Sequence, residues 1–495
     1  MLRRAALSPN IRDRLDFSCA LFDANGALIA QATHIPVHLG SMAYAMTDLA
    51  GAFDWCEDDL VVLNDPFRGG THLPDVTLIA PALDAGGLVG FAACRAHYSD
   101  IGSASPGSMP VSRSLEEEGV LISPVHVYRR GRYQPEALAS LFAAVGEPEQ
   151  VGADLEAQIS ACRVGVSGLL ALRRDGGADA AFEVRLQRLQ DYAATLAARF
   201  VAELPDGRYR FADCLDGDGA GGQDLPIEAT VSISGSSLAV DFAGTCEQVE
   251  GNVNCPLSVT AAAVYYVLRC LLPPQTPACA GSMRPLTLTA PPGCLVHARP
   301  PAAVAAGNVE TSMRIVDVLC GALAPLLPER IPAASQGSMN NIAMGGRGNG
   351  RAWSYYETLA GGCGAACTGP GASAVHSPMT NTLNPPREVV ERHYPQRVRE
   401  YSLRRGSGGR AHYAGGDGVC REYLFLDPAR VSLITERRRR GPWGLAGGQP
   451  GAPGCNRLNG EPIGDKVALD VAPGDRLRLE TPGGGGWGES GERGV

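Results

Sequence analysis

Three side chains that suit metal binding, His72, Asp75 and His97, flank one predicted β-hairpin. His72 and Asp75 come just before an apolar strand, and His97 ends the strand that returns after the turn at residues 84–87. In such a hairpin, position 75 lies opposite position 96 or 97, and directly opposed residues have Cβ atoms about 5 Å apart. We therefore expect Asp75 and His97 to converge, with His72 kept near them by the rigid Pro74.

Two imidazoles and one carboxylate are a ligand set for a divalent transition metal that leaves positions open for water and substrate. Such an ion polarises a carbonyl group or lowers the pKa of a bound water. Asp65 and Asp100 lie close in sequence to the three residues, and either could orient a ligand imidazole or act as a general base. The alternative is that these are ordinary structural histidines at the ends of strands.

A second pair of histidines, His34 and His38, surrounds Pro36. Because proline interrupts a regular helix, we expect an extended segment, in which positions four apart face the same side. This places both histidines in the same cleft as the metal ligands, as substrate-binding residues. Structural hydrogen bonding is the alternative.

The second half of the chain contains four consecutive arginines at 437–440 and a series of glycine-rich stretches. A charge run of this kind is typical of a solvated face or a contact with a partner subunit, and phosphate binding is a further alternative. None of the glycine-rich stretches has the spacing of a phosphate-binding loop or a dinucleotide fingerprint. They are interpreted as tight loops between strands, and we expect no nucleotide site on this chain.

Composition narrows the class of protein. The 495 residues are 45% hydrophobic and 19% charged, with a net charge of −9. This indicates a globular protein of roughly two to four structural units and argues against nucleic-acid binding. The most apolar stretch, residues 259–273, is too short to cross a bilayer and contains Arg269, so no membrane span is expected. Fifteen scattered cysteines favour reduced thiols and a cytoplasmic location.

Strand patterns and helix patterns follow one another along the chain, which predicts a mixed α+β fold. Its β-rich N-terminal part carries the candidate metal site. The predicted regions are a β-rich region at 1–150, a helical segment at 151–205, a β/α region at 206–300, a helix with glycine-rich loops at 301–400, and a β-rich region at 401–495.

The sequence resembles the hydantoinase B/oxoprolinase family along essentially its whole length. The most extended motif is Asn-Asp-Pro-Phe-Arg-Gly-Gly-Thr-His-Leu-Pro-Asp at 64–75, followed by Arg-Ala-His-Tyr-Ser-Asp at 95–100. Further stretches that carry the resemblance, in the order of the family, are residues 16–20, 34–40, 251–254, 306–311, 335–341 and 481–488. Members of the family usually have a helical segment before the part that matches residues 5–11, so we expect either a shortened member or a misassigned start.

The resemblance implies a division of labour between two subunits. A hydantoinase A-type ATPase partner would bind Mg-ATP and form a phosphorylated intermediate, and the subunit similar to this chain would carry the metal in a hetero-oligomer. The ion is manganese in the acetone carboxylase relatives, with zinc or iron as alternatives, and the family's His-x-x-Asp motif and later histidine correspond to His72, Asp75 and His97. The implied reaction opens a cyclic amide such as a hydantoin or 5-oxoproline with metal-activated water. Carboxylation of a ketone and a non-catalytic scaffold are the alternative functions.

Overall fold

The computed structural model describes residues 1–32, 35–175, 179–348 and 351–489. Within these ranges the protein combines four β-sheets with nine α-helices, which confirms the predicted mixed α+β class. The helices, numbered in chain order, are α1 (Leu2–Ala5), α2 (Pro9–Arg12), α3 (Pro36–Leu49), α4 (Ala139–Ala144), α5 (Pro148–Asp175), α6 (Asp179–Ala202), α7 (Leu257–Leu271), α8 (Ser312–Leu323) and α9 (Arg387–His393).

The first sheet is antiparallel and has the strand order β2-β1-β5-β4-β3-β6-β7. Its strands are β1 (Phe17–Asp23), β2 (Leu28–Gln31), β3 (Leu60–Leu63), β4 (Asp75–Asp84), β5 (Gly87–His97), β6 (Val125–Arg129) and β7 (Arg132–Tyr133). The β4–β5 pair is the hairpin expected from the turn at 84–87, and the two strands are buried over most of their length.

Helices cover both faces of this sheet, which explains why β4 and β5 are apolar on both sides. On one face, Met42 and Met46 of α3 pack with Phe22 and Phe91. On the other face, α5 packs on the same strands, with Ile159 among its buried residues. By length and composition alone α5 could cross a membrane, but its apolar side lies against the sheet.

The second sheet has the order β11-β10-β9-β8 and packs against α7 and α8 in the largest hydrophobic cluster. Its strands are β8 (Gly207–Gly217), β9 (Gln223–Ser234), β10 (Ser237–Asp241) and β11 (Leu286–Thr289). A π-helical turn, Gly307–Thr311, leads directly into α8.

Two further sheets share the C-terminal part of the chain, in the orders β13-β12-β16-β19 and β14-β15-β20-β17-β18. Their strands are β12 (Asn341–Gly348), β13 (Arg351–Glu357), β14 (Gln396–Arg404), β15 (Gly418–Phe425), β16 (Ala429–Ile434), β17 (Cys455–Leu458), β18 (Glu461–Ile463), β19 (Lys466–Val471) and β20 (Arg476–Glu480). The five regions predicted from the sequence stay predictions.

Most of the glycine-rich stretches are loops, as predicted, but the prediction is wrong for the one that begins at Gly345, because residues 345–348 belong to β12. Many glycines of the loops are needed for close packing between backbones. A Cβ atom on Gly362 would lie 1.9 Å from the carbonyl oxygen of Gly416, and one on Gly484 would lie 1.9 Å from that of Cys363. Neither position has a positive φ angle. These loops therefore interlock with one another, a property that the local sequence does not indicate.

The arginine run at 437–440 holds the C-terminal part of the chain to the second sheet and α8. The buried Arg437 bridges Asp213 and Asp317 at 2.8 and 2.6 Å, and Arg439 and Arg440 pair with a single aspartate, Asp224. The interpretation of the run as a solvated face is wrong for Arg437, because two carboxylates within the protein neutralise its charge and stabilise its burial.

Candidate metal centre

The first predicted contact of the centre is the one between Asp75 and His97, which are directly paired in the register of β4 and β5. The Nδ1 atom of His97 lies 3.1 Å from Oδ1 of Asp75. Asp75 is fully buried and His97 is 2% exposed. The turn at 84–87 and a register shift between Ala82 and Leu83 together set this register, so the predicted convergence of Asp75 and His97 is confirmed.

His72 joins the pair from the loop that precedes β4, and its Nε2 atom lies 3.2 Å from Oδ1 of Asp75. The other ring nitrogen, Nδ1, lies 3.2 Å from the carbonyl oxygen of Ala305. This carbonyl can only accept a hydrogen, so Nδ1 carries one and Nε2 faces Asp75 and His97. The ring centroids of His72 and His97 are 5.1 Å apart.

His38 also reaches the centre, with Nε2 3.1 Å from Oδ2 of Asp75. The predicted extended conformation around it is wrong, because Pro36 is the first residue of α3 and His38 lies in the first turn of that helix. Proline is well tolerated at this position, where its missing N–H would have no partner within the helix. The other predicted substrate-binding residue, His34, lies outside the described residues.

Asp16 is a residue of the centre that sequence reasoning missed. It precedes β1, the neighbour of β5, and its Oδ1 atom lies 4.0 Å from Nε2 of His38. Its other carboxylate oxygen faces the buried guanidinium of Arg14 at 3.6 Å. Its place in the motif at 16–20 was the one available signal, because nothing in the hairpin pattern indicates that β1 would pair beside β5.

Asn308 and Tyr356, also missed, come from distant parts of the chain. The side-chain nitrogen of Asn308 lies 3.0 Å from Nε2 of His72 and 3.3 Å from Oδ2 of Asp75. Tyr356 on β13 stacks on the His97 ring, with centroids 4.7 Å apart and planes 18° from parallel. Asn308 belongs to the family-like stretch at 306–311, but local spacing offers no sign that it would meet residues more than two hundred positions away.

A buried arginine, Arg95, braces the elements that carry these side chains. Its guanidinium donates to Thr77 on β4, to Ser41 on α3 and to the carbonyl of Gly69 in the loop before His72, at 2.7, 2.6 and 2.8 Å. Burial lowers the pKa of Arg95 to about 10. Its three donors therefore fix the helix of His38, the loop of His72 and the hairpin relative to one another.

A buried carboxylate, Glu118, supports the backbone that orients His72. Its Oε1 atom accepts hydrogen bonds from the backbone nitrogens of Val304 and Ala305, at 2.8 and 2.9 Å, and from the hydroxyl of Ser112. The carbonyl of Ala305 is the partner of His72 Nδ1. Burial raises the pKa of Glu118 to about 7.

Charges within the centre favour an ionised carboxylate among the imidazoles. Burial opposes ionisation of Asp75, but His72 and His38 outweigh it and hold the pKa of Asp75 well below its usual value. Burial likewise opposes protonation of His72, yet the charge of Asp75 raises the pKa of that imidazole. For His97 burial dominates and lowers the pKa.

The two carboxylates predicted to be catalytic, Asp65 and Asp100, cap nearby backbone. Asp65 accepts a hydrogen bond from the nitrogen of Phe67 in a short 3₁₀ turn, and Asp100 accepts from those of Gly102 and Gly146. Across the described ranges, no hydrogen bond or ion pair joins either one to the three predicted ligands. Their role as orienting groups or general base stays a prediction.

The donor set fits a divalent ion. His72, Asp75 and His97 each offer a ligand atom, and these atoms lie within 4.8 Å of one another in a buried position. Nε2 of His97 is buried and has no hydrogen-bond partner. Nitrogen and oxygen donors that converge in this way suit a first-row transition ion, and the ring of His97 still has one nitrogen without a hydrogen-bond partner.

Comparison with known proteins identifies the family of the chain. The family model described as hydantoinase B/oxoprolinase matches residues 1–490. An uncharacterised protein of Methanocaldococcus jannaschii is 38% identical over 505 residues, covering 100% of this chain and 88% of the relative. The 5-oxoprolinase 1 of Arabidopsis thaliana is 37% identical over 520 residues, but this chain, of which 99% is covered, spans only 40% of its length.

Among solved structures, the ATP-dependent caprolactamase from Pseudomonas jessenii superposes with a TM-score of 0.89 at 28% identity. The match covers 96% of this chain and 85% of that chain. The fold of this chain is therefore shared with a protein named an ATP-dependent caprolactamase.

Proposed function

Because the chain belongs to the hydantoinase B/oxoprolinase family, we propose that it is the metal-carrying subunit of an ATP-dependent enzyme that hydrolyses cyclic amides. The observation that carries the proposal is the buried convergence of His72, Asp75 and His97. The names of the 5-oxoprolinase and caprolactamase relatives indicate the class of substrate, a lactam ring.

We propose that His72, Asp75 and His97 hold a divalent ion, with manganese first and zinc or iron as alternatives. When bound, such an ion supplies a Lewis acid for a carbonyl or phosphoryl oxygen and acidifies water. An unstrained lactam is a poor electrophile, so an activating step that consumes ATP is consistent with this chemistry.

The remaining residues of the centre orient and enclose it. Nε2 of His38 donates to Oδ2 of Asp75, and the hydroxyl of Thr71 donates to the same oxygen. These two contacts fix the orientation of the carboxylate. Tyr356 covers one face of His97 and keeps bulk water away from it. A ligand carboxylate that is held by its neighbours loses little freedom when an ion binds, which favours binding.

The ATP-binding part is proposed to lie on a partner of the hydantoinase A type. This chain spans 40% of the length of 5-oxoprolinase 1, so the remaining part of such enzymes has room for an ATPase unit. The sequence of this chain contains no phosphate-binding loop motif. A hetero-oligomer, manganese and a cytoplasmic location stay predictions.

The test is metal analysis of the purified chain beside His72→Ala and His97→Ala, with His393→Ala as a matched control. His393 ends α9 and is exposed, so its loss leaves the centre intact. We expect about one equivalent of ion in the parent and the control, and at least a tenfold weaker affinity in both centre variants.

Activity is then measured with the ATPase partner added, by following lactam opening and ATP consumption together. We expect the two centre variants to lose ring opening and the control to keep it. A parent without bound ion after reconstitution with manganese and the partner, or full ring opening by His97→Ala, would contradict the proposal and favour a scaffold.

A further inference from the structure

Asn308 reaches the metal centre from the π-helical turn Gly307–Thr311. The turn is wedged against neighbouring backbone, because a Cβ atom on Gly307 would lie 1.9 Å from the carbonyl oxygen of Asn254. The backbone nitrogen of Gly307 also donates to the carbonyl of Asn252. Single π-turns of this kind are often found at functional sites. The position of the Asn308 side chain is thus set by a rigid piece of backbone.

The Asn308 amide is buried, and its two ends have very different surroundings. The nitrogen Nδ2 contacts Nε2 of His72 and Oδ2 of Asp75, whereas Oδ1 is buried with no hydrogen-bond partner. A half-turn of the amide exchanges the two atoms, and their shapes are nearly the same. Since Oδ1 has no partner, this rotation breaks no hydrogen bond on that side.

The contacts made by Nδ2 cannot survive when an ion is bound. When Nδ1 of His72 donates to the carbonyl of Ala305, Nε2 has a single lone pair, which either accepts a hydrogen from Asn308 or would bind an ion. An ion held by His72 and Asp75 would compete with the Asn308 amide nitrogen, which now contacts Nε2 of His72 and Oδ2 of Asp75. The hydrogens on that nitrogen would then face a cation, whereas the carbonyl oxygen of the same side chain would be attracted to it.

We propose that Asn308, after a half-turn of its side-chain amide, is a further ligand of the ion through Oδ1. The inference rests on the proposed function, in which His72, Asp75 and His97 hold that ion. Asn308 would add a neutral oxygen ligand from the segment that precedes α8, so the ion would link the hairpin β4–β5 to the start of α8. In the metal-free protein the side-chain amide of Asn308 instead donates its hydrogens to Nε2 of His72 and Oδ2 of Asp75.

The experiment compares Mn²⁺ binding by the parent with Asn308→Ala and Asn308→Asp, measuring free Mn²⁺ by electron paramagnetic resonance. Co²⁺ absorption spectra of the same proteins report the coordination around the ion. Asn456→Asp is the matched control, because Asn456 is an equally buried asparagine on β17 whose partners are Arg438 and Thr435. Circular dichroism establishes that each variant is folded.

We expect Asn308→Ala to weaken Mn²⁺ affinity about tenfold and to change the Co²⁺ spectrum. Asn308→Asp, which keeps an oxygen in place, should bind at least as tightly as the parent, and the control should match the parent. An alanine variant with unchanged affinity and spectrum overturns this inference alone, and so does weaker affinity with an unchanged spectrum, because the side chain then only positions its neighbours. A parent that binds neither ion overturns the proposed function together with it.

Discussion

Glu310 is a buried carboxyl group that stays protonated in the folded protein. Replacing it by glutamine should change how the free energy of unfolding depends on pH. The side chain is fully buried, and its Oε1 atom accepts from the nitrogen of Met339 and the amide of Asn341, at 3.1 and 2.7 Å. Burial, assisted by the charge of Glu436, raises the pKa of Glu310 to about 8. The carboxyl is therefore neutral in the folded protein at pH 7.

The sign of the effect follows from proton linkage. Between the ordinary glutamate pKa of 4.5 and about 8, the unfolded chain releases this proton while the folded protein keeps it. The unfolded state thus binds fewer protons, and stability falls as pH rises through this window and levels off above it. At about 1.4 kcal/mol for each pKa unit, the whole loss is about 5 kcal/mol as an upper limit.

Glu310→Gln cannot ionise, so its stability should lack this decline. We expect it to be less stable than the parent, or equal to it, near pH 5, to gain on the parent up to about pH 8, and to keep that gain at pH 9. Urea unfolding followed by tryptophan fluorescence at five pH values measures the difference, with the exposed Glu461→Gln on β18 as the control. Parallel curves for Glu310→Gln and the parent would refute the reasoning, because they would mean that the carboxyl ionises equally in both states.

Two more variants test the frame around the metal centre. Glu118→Ala leaves two buried backbone N–H groups without an acceptor, so we expect the free energy of unfolding in urea to fall by about 2–6 kcal/mol. Mn²⁺ binding should also weaken, because the Ala305 carbonyl that contacts His72 is displaced. Glu118→Gln keeps one oxygen and should recover most of the stability and most of the Mn²⁺ affinity, and equal losses in the two variants would contradict this. Arg95→Lys should lower stability by about 3 kcal/mol, since one ammonium cannot replace three directed guanidinium donors, and an unfolding curve equal to that of the parent would show that the brace is dispensable.

The pairing at the heart of the centre could be predicted because it depends on local information. The turn at 84–87 narrows the partner of Asp75 to position 96 or 97, so the approach of Asp75 and His97 follows from counting along two strands. A register shift between Ala82 and Leu83 then selects His97, and the sequence did not indicate that shift. The same reasoning failed for His38. Proline interrupts a helix that begins before it but is well placed as the first residue of one, and here α3 begins at Pro36.

The other members of the centre could not be found in this way, because their contacts depend on how whole units pack. Asp16 is positioned by the addition of β1 to the edge of the hairpin, and Asn308 is separated from His72 by 236 residues. No periodicity or turn rule carries information over that distance. A family resemblance marks such stretches as important, but the role of each side chain becomes visible only in three dimensions.

The hairpin β4–β5 alone would be a poor metal site, because residues outside it hold the other side chains of the centre in place. Asp75 pairs with His97 within the hairpin, but the direction of the third proposed ligand, His72, depends on the Ala305 carbonyl, whose backbone Glu118 holds from outside the hairpin. Arg95 ties the loop of His72 to α3 through a second set of bonds. Ligands supported from independent elements keep their geometry only when the surrounding units are packed. Metal affinity should consequently depend on the packing of α3 and of the turn before α8, even where the three proposed ligands themselves are unchanged.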